Sequence, residues 1–273
     1  MSAEVPARRY LSVRGLDELR RRLSERDLAI IAQVSELRLM SGGQIKVVHF
    51  PASAHESELA AARSCHRSLA RLTNARLLAR LDRRIGGVRA GSNSFVYALG
   101  PAGQRLIGEG GPRKRLYEPT GRFVDHTLAT SQLVVDIVLA ARRGRLQRIE
   151  LQAEPRCWRE FSRVGHRILL RPDLFVALTD GRYDFRWFIE IDRASESLPV
   201  ILRKCRVYAA YYQSGQEQSR HDGIFPRICW IAPDERRAQG MRLAIARDRQ
   251  LPQRLFIVTS TEHALDALTG RPA

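Results

Sequence analysis

The sequence predicts an α/β protein that folds as two domains. Helical periodicity and a hairpin pattern fill the first 100 residues, while helix and strand patterns alternate after residue 124 in the order α-β-β-β-α-β-α-β. A stretch rich in Gly, Pro and basic residues separates them. The 273 residues, 44% of them hydrophobic, suffice for one large core or two modest ones. We therefore place the domains at 17–100 and 125–262, joined by a basic linker over 101–124.

Two helices of the first domain can be predicted from their periodicity. Residues 24–39 open with a serine that can cap a helix, and apolar residues follow at helical spacing. Residues 55–81 carry apolar side chains on one face and arginines on the opposite face, at steps of four residues. The apolar residues are Cys65, Leu69 and Leu72, and the arginines are Arg63, Arg67 and Arg71. The second helix thus has a basic face opposite its packing face.

The pattern of residues 81–100 predicts a β-hairpin with a basic tip. Apolar and polar residues alternate on either side of two glycine-containing turn signals. Arg83, Arg84 and Arg89 lie beside these glycines, which would allow close approach to a ligand. Helices followed by a hairpin are typical of a winged helix-turn-helix. The hairpin is therefore predicted to be a wing that contacts phosphates or the minor groove.

The charge of the chain identifies its partner class. An excess of 46 Lys and Arg over 29 Asp and Glu gives a net charge of +17, and a field of this sign attracts polyanions. Residues 1–124 hold 22 basic and 11 acidic residues, that is +11 of the total. We predict that double-stranded DNA is the partner and that the helix over 55–81 lies in or against its major groove.

Two classes of protein are excluded by the sequence pattern. Apolar stretches such as residues 133–141 are shorter than the roughly 20 residues of a membrane span, and the first ten residues lack the apolar core of a secretory signal. We therefore expect a cytoplasmic protein with no membrane anchor. The four cysteines are scattered, without a Cys-x-x-Cys pair, which predicts buried thiols and argues against a zinc site or disulfides.

Carboxylates converge in the predicted sheet of the second domain. In the strand over 184–192, Glu190 and Asp192 point to the same face, and a short turn would lay Asp173 of the preceding strand beside Glu190. Oxygen ligands from adjacent strands suit Mg²⁺ or Mn²⁺, which can polarise a phosphodiester. We predict that Asp173 and Glu190 bind one divalent metal, with Asp192 at its edge. Lys204, on the next helix, is predicted to meet the scissile phosphate.

Other residues of this domain offer alternatives. Glu150 and Glu154 could complete the site, although acidic residues near a strand are more often solvated. Tyr208 and Tyr212, one helical turn apart, could instead form the tyrosine pair of a covalent relaxase or initiator. Such enzymes usually hold their metal with two histidines flanking a single residue, and the seven histidines include no such pair. We therefore predict hydrolysis without a covalent tyrosine intermediate.

An ordered set of segments resembles a known family. The segments, within residues 20–260, are SERDLAIIAQVSELRLMSGGQI, SCHRSLARLTNARLLARL, SFVYALGPAG, DHTLATSQL, RPDLFVAL, FIEIDRASES and FPRICWIAPDERR. Their order and spacing are similar to those of the replication-relaxation family of actinobacterial and firmicute plasmids and integrative elements. The resemblance implies a winged-helix domain ahead of a PD-(D/E)xK restriction-endonuclease-like domain with a central mixed sheet. It also implies a role in plasmid replication, DNA relaxation or mobilisation.

The resemblance assigns roles to single residues. Asp173 matches the first acid of the nuclease pattern and Glu190 the second, whereas Asp192 stands where lysine normally lies. Lys204 would then replace that lysine from the neighbouring helix; Arg193 is a third alternative, but a guanidinium could only bind phosphate. Loss of the strand lysine equally fits an inactive domain kept for DNA binding.

Two functions therefore stay open at this stage. One is a metal-dependent endonuclease or nickase, and the other is a non-enzymatic replication initiator or regulator. The predicted partners are double-stranded DNA, plasmid replication or conjugation proteins, and a second copy of the chain in a homodimer.

Overall fold

The structure, a computed structural model, describes residues 12–85, 94–108, 121–147 and 149–270. The chain divides into two compact units, residues 1–119 and 120–273. Within the described ranges the protein is α/β, with ten α-helices and a five-stranded mixed sheet, which confirms the predicted α/β class and the central mixed sheet. The ends of the predicted linker are helical in the structure. Residues 109–120 lie outside the described ranges, and the linker itself stays a prediction.

The first unit combines helices with a small antiparallel sheet. Its helices are α1 (Val13–Arg21), α2 (Glu25–Leu37), α3 (Gly42–His49), α4 (Glu58–Asn74) and α5 (Pro101–Ile107). The strands β1 (Met40–Ser41), β2 (Leu78–Ile85) and β3 (Ser94–Leu99) form a sheet of order β1-β3-β2. Helix α2 begins as the sequence predicts, because Ser24 and Asp27 form a reciprocal capping box at its N-terminus.

Helix α4 is shorter than the helix predicted over residues 55–81. It starts after Ser57, whose side chain accepts a hydrogen bond from the Ala60 N–H at 3.1 Å. It ends at Asn74 because Arg76 adopts a left-handed φ of 59° and the Leu77 N–H turns back to the Leu72 carbonyl at 2.9 Å. The prediction of helix over the last residues of this range was therefore wrong, and strand β2 follows instead.

The predicted hairpin is formed by β2 and β3, which pair antiparallel. Strand β2 begins at Leu78, earlier than the predicted residue 81, and contains Arg83 and Arg84. Residues 86–93, which the sequence predicts to form the tip and which include Arg89, lie outside the described residues. The DNA contacts predicted for these three arginines therefore stay predictions.

The second unit is built on the mixed sheet. Its strands are β4 (Ile149–Ala153), β7 (Leu174–Thr179), β8 (Asp184–Ile191), β9 (Arg227–Ala232) and β10 (Phe256–Ser260), in the spatial order β10-β9-β8-β7-β4. Strands β4, β7 and β8 pair antiparallel, whereas β9 and β10 continue the sheet in parallel. Its helices are α6 (Gly121–Arg142), α7 (Leu198–Ser214), α8 (Gln216–Arg220), α9 (Glu235–Arg247) and α10 (Ala264–Leu268).

The main difference from the predicted element order is an inserted hairpin. Strands β5 (Arg159–Arg163) and β6 (His166–Leu170) form a separate two-stranded sheet between β4 and β7. The strand predicted over residues 168–178 is thus two strands, interrupted at Arg171–Pro172–Asp173. The four cysteines are buried and free, as their spacing predicts.

Helix α6 is a core helix of this unit. By length and composition alone its 22 residues could cross a membrane, so the expectation that every apolar stretch falls short of a span was wrong here. Ten of its residues are buried, including the polar Thr127, Thr130 and Ser131. Burial of this kind is typical of a helix in the core of a folded domain, so its apolar composition is weak evidence for a membrane segment.

Candidate functional site

Asp173, just before β7, lies beside the part of β8 that contains Glu190. Leu174, the first residue of β7, is paired with Ile189 of β8, and the Asp173 N–H donates to the Ile189 carbonyl at 3.1 Å. The Asp173 carboxylate accepts the Ile191 N–H, so it is bound to β8 on both sides of Glu190. Asp173 and Glu190 are both buried, with exposed fractions of 7% and 1%. The structure thus brings together the two acids as the sequence predicts. Their role as metal ligands stays a prediction.

Two side chains of α7 contact the Glu190 carboxylate. Tyr208 donates from its hydroxyl to Oε1 at 2.6 Å, and Lys204 forms an ion pair with Oε2. Burial raises the pKa of Glu190, the Lys204 ammonium opposes this, and the nearby Asp173 charge adds to the rise. Burial alone would lower the pKa of Lys204, but the charges of Glu190 and Asp173 outweigh it and keep the ammonium protonated.

The Asp173 carboxylate is held by the backbone and by a histidine. Its Oδ2 accepts the Ile191 N–H at 2.7 Å, and His126 Nε2, from α6, lies 3.1 Å from Oδ1. The hydrogen bond to Asp173 raises the pKa of His126, although burial opposes the rise. His126 is a site residue that sequence reasoning missed. Its one signal was its position in the segment DHTLATSQL, which carries part of the family resemblance.

The two carboxylates share a pattern of contacts. Each has one oxygen bound by a partner inside the protein, the Tyr208 hydroxyl or the Ile191 N–H. Each has a second oxygen bound by a partly exposed side chain, since Lys204 and His126 are 31% and 35% exposed. Lys204 and His126 are therefore the solvent-accessible contacts of the two carboxylates, and the Tyr208 hydroxyl and the Ile191 N–H are the buried ones.

Asp192 has a different set of contacts. Arg237 of α9 donates from Nε to Asp192 Oδ2 at 2.7 Å, and the Ala194 N–H donates to Oδ1 at 3.1 Å. Arg237 also donates to the Glu196 carbonyl at 2.6 Å, so the pair ties the end of β8 to α9. These contacts give Asp192 a structural role between β8 and α9, and its predicted place at the edge of a metal site stays a prediction.

Glu150 and Tyr212 have contacts outside this arrangement, whereas Tyr208 belongs to it. Glu150 accepts a hydrogen bond from Gln152 at 3.1 Å in an exposed position. Tyr212 accepts one from Arg254 at 2.9 Å. Tyr208 is fully buried, and burial together with Glu190 raises its pKa well above 10, which makes it a poor nucleophile. The tyrosine-pair alternative gains no support from these environments.

The donor set restricts which metal could bind. Within the ranges that the structure describes, no group of three or more His, Cys, Asp and Glu side chains could hold a metal ion. Mg²⁺ is commonly bound by one or two carboxylates, with water and substrate phosphates as the other ligands. Asp173 and Glu190 fit an ion of that kind, and they do not fit a metal that needs an all-protein cage.

In the first unit, the basic face of α4 is divided between two roles. Arg63 and Arg67 are exposed, opposite the buried face of Ala61, Cys65, Leu69 and Leu72. Arg71 instead forms an ion pair with the buried Asp27 at 2.9 Å. The Arg71 side chain is still 53% exposed, so the DNA contact that the sequence predicts for all three arginines stays a prediction.

Comparison with known proteins finds one similarity. A family model described as replication-relaxation matches residues 31–228, from α2 to β9 and therefore across both units. No curated protein and no solved structure matches the chain.

Proposed function

Because the chain belongs to the replication-relaxation family, we propose that it is a DNA-binding protein of a mobile element and that its second unit is a metal-dependent endonuclease or nickase. The family indicates a role in replication or relaxation of plasmid or other mobile-element DNA. The observation that carries the nuclease proposal is that two buried acids come together, Asp173 just before β7 and Glu190 in β8, with Lys204 bound to Glu190. A PD-(D/E)xK-like fold is part of the proposal, and the central mixed sheet supports it.

The proposed cofactor is one Mg²⁺ or Mn²⁺ held by Asp173 and Glu190. When bound, such an ion polarises the scissile phosphate and activates water. The Tyr208 hydroxyl and the Ile191 N–H keep the two carboxylates in position. Lys204, once displaced from Glu190, places its ammonium beside the phosphate and stabilises the negative charge that develops there.

The first unit is proposed to bind duplex DNA as a winged helix-turn-helix. Three helices, α2 to α4, precede the β2–β3 hairpin, and the three arginines of α4 are exposed, away from its buried face. In such domains the recognition helix lies in the major groove and the wing contacts the backbone or the minor groove. Arg63, Arg67 and Arg71 on α4 are proposed to contact DNA, together with the wing arginines Arg83, Arg84 and Arg89.

A non-enzymatic replication initiator or regulator is the second candidate. It is favoured by the residue two positions after Glu190. The nuclease pattern has a lysine there, whereas this chain has Asp192, which forms an ion pair with Arg237. A domain of this kind would keep the fold and the carboxylate pair as an interaction module. The two candidates differ in one property, which is cleavage of DNA.

A supercoiled-plasmid assay with the full chain separates the two candidates. With Mg²⁺ or Mn²⁺ the wild-type protein should convert supercoiled DNA to nicked or linear DNA, and a chelator should stop the reaction. Asp173→Asn and Glu190→Gln should abolish conversion. Asp184→Asn, an exposed acid at the other end of β8, is the matched control and should retain it. A wild-type protein that binds DNA and leaves it intact is instead an initiator or regulator.

A further inference from the structure

The β5–β6 hairpin ends in a turn that exposes an apolar side chain. Arg163 is paired with His166, so the turn consists of Val164 and Gly165, with φ angles of 48° and 78°. Asn or Gly is favoured at the first turn position, and a β-branched residue at positive φ is strained. Val164 is nevertheless 90% exposed. Neither the turn nor the core of the unit accounts for a valine here.

The hairpin is anchored at its base and basic toward its tip. Phe161 packs against Tyr211 of α7 with ring centroids 5.0 Å apart, and Arg159 Nε lies 3.2 Å from the buried Glu217. Exposed cationic side chains follow along the hairpin and just beyond it: Arg163, Arg167 and Arg171. Glu160 is the sole acidic residue in 159–171, and it pairs with Arg167. The exposed surface around Val164 is therefore suited to a polyanion.

The hairpin also leads directly to the candidate site. Strand β6 runs from His166, next to the tip, to Leu170, and Asp173 follows shortly after. Four residues of strand span about 13 Å. The tip thus lies within one helical turn of DNA from the end of β6.

We infer that the β5–β6 hairpin is a second DNA-contacting element, in which Val164 enters a groove and wedges between neighbouring bases while Arg163 contacts phosphate. Apolar wedges flanked by cations are used in this way by proteins that unstack a base step from the minor groove. The inference rests on the proposed function, because it requires duplex DNA as the ligand. It adds a means of distorting the duplex near the site of cleavage.

Binding of the full chain to duplex DNA, measured by fluorescence anisotropy in the presence of a chelator, tests the inference. Duplexes with 2-aminopurine at successive positions report unstacking. Wild-type protein should raise the 2-aminopurine fluorescence at one step. Val164→Asn, which tolerates positive φ, should fold with an equal or higher Tm, bind about tenfold more weakly and lose the rise. Val164→Gly should behave like Val164→Asn.

Two arginine variants distinguish a specific contact of the hairpin tip with DNA from a general effect of removing one positive charge. Arg163→Gln should weaken binding and reduce the log-log salt slope by about one unit. Arg182→Gln removes one exposed charge at the β7–β8 turn and should change neither property.

The possible results distinguish failure of the proposed function from failure of the wedge. Wild-type protein that does not bind duplex DNA contradicts the proposed function itself. If the wild type binds and Val164→Asn binds as tightly, or if the wild type leaves 2-aminopurine fluorescence unchanged, the wedge is wrong while the proposed function stands.

Discussion

Arg71, in α4, donates two hydrogen bonds to the carboxylate of Asp27, in α2, at 3.0 and 2.9 Å. Asp27 is 1% exposed and also accepts hydrogen bonds from Ser24 at the start of α2. The ion pair therefore joins the capped end of one helix to the other. Along α4, Arg63 and Arg67 are open to a ligand, while Arg71 stabilises the unit.

The first prediction concerns DNA affinity. Replacing both Arg63 and Arg67 with Gln should weaken duplex binding and lower the log-log salt slope by up to about two units, because each lost phosphate contact releases fewer counterions. Fluorescence anisotropy over a range of salt concentrations measures this. The double variant Arg247→Gln/Arg249→Gln removes two exposed charges of the other unit and is the matched control. If the two double variants weakened binding equally, a specific role of α4 in DNA binding would be contradicted.

The second prediction concerns stability. Arg71→Gln should lower the free energy of unfolding by about 2 kcal/mol, because it leaves a buried carboxylate without its cationic partner. Arg63→Gln should change it by less than about 0.5 kcal/mol, as expected for an exposed side chain without such a partner. Chemical denaturation of both variants measures the difference. Similar values for the two would show that the Asp27 contact contributes little.

The third prediction concerns acid. Burial alone would raise the pKa of Asp27, but hydrogen bonds from Ser24 and Arg71 outweigh it and hold the pKa below its usual 3.8. A depressed pKa gives stability that is present above the unfolded pKa and lost as pH falls through the folded pKa. Below about pH 4 the wild type should therefore lose stability more steeply than Asp27→Asn. The denaturation midpoints of the wild type and of Asp27→Asn, measured down to about pH 2, should therefore converge as the pH falls. If the two midpoints changed in parallel with pH, the proposed link between Asp27 and acid stability would be refuted.

The fourth prediction separates the neighbouring acids by their response to metal. Mg²⁺ or Mn²⁺ at millimolar concentration should raise the Tm of the wild type, and Asp173→Asn should abolish this rise. Asp192→Asn should lower the starting Tm because it weakens the pair with Arg237, yet it should keep the rise. Thermal unfolding with and without metal measures both effects. If Asp192→Asn lost the rise in Tm with metal, Asp192 would belong to the metal site.

The fifth prediction concerns Lys204, which competes with a metal for Glu190. Lys204→Ala should lower the Tm without metal because it leaves the buried Glu190 without its cation. The metal concentration needed to raise the Tm should fall, since no ammonium has to be displaced. Plasmid cleavage should be lost, because no charge remains beside the phosphate. A variant that cleaves as fast as the wild type would exclude Lys204 from the reaction.

Local patterns predicted most of the fold and the central pair of the site. Alternation along β8 and the short connection to β7 suffice to bring Asp173 beside Glu190, because strand register is a local property. The partners of Arg71 and Asp192 are 44 and 45 residues away in sequence, so periodicity could not reveal them. The β5–β6 hairpin was missed because Val164–Gly165 is not a usual signal for a two-residue turn.

The solvent-accessible partners of the two carboxylates, Lys204 and His126, also contribute to the charge of the site. Lys204 carries one positive charge, and His126 carries a second when it is protonated, which its contact with Asp173 favours. The proposed divalent cation would bring the same total charge, so its binding would exchange one set of counterions for another and leave the electrostatic balance of the buried acids nearly constant. Metal affinity would depend on how readily two side chains move into solvent, and it would rise as His126 loses its proton.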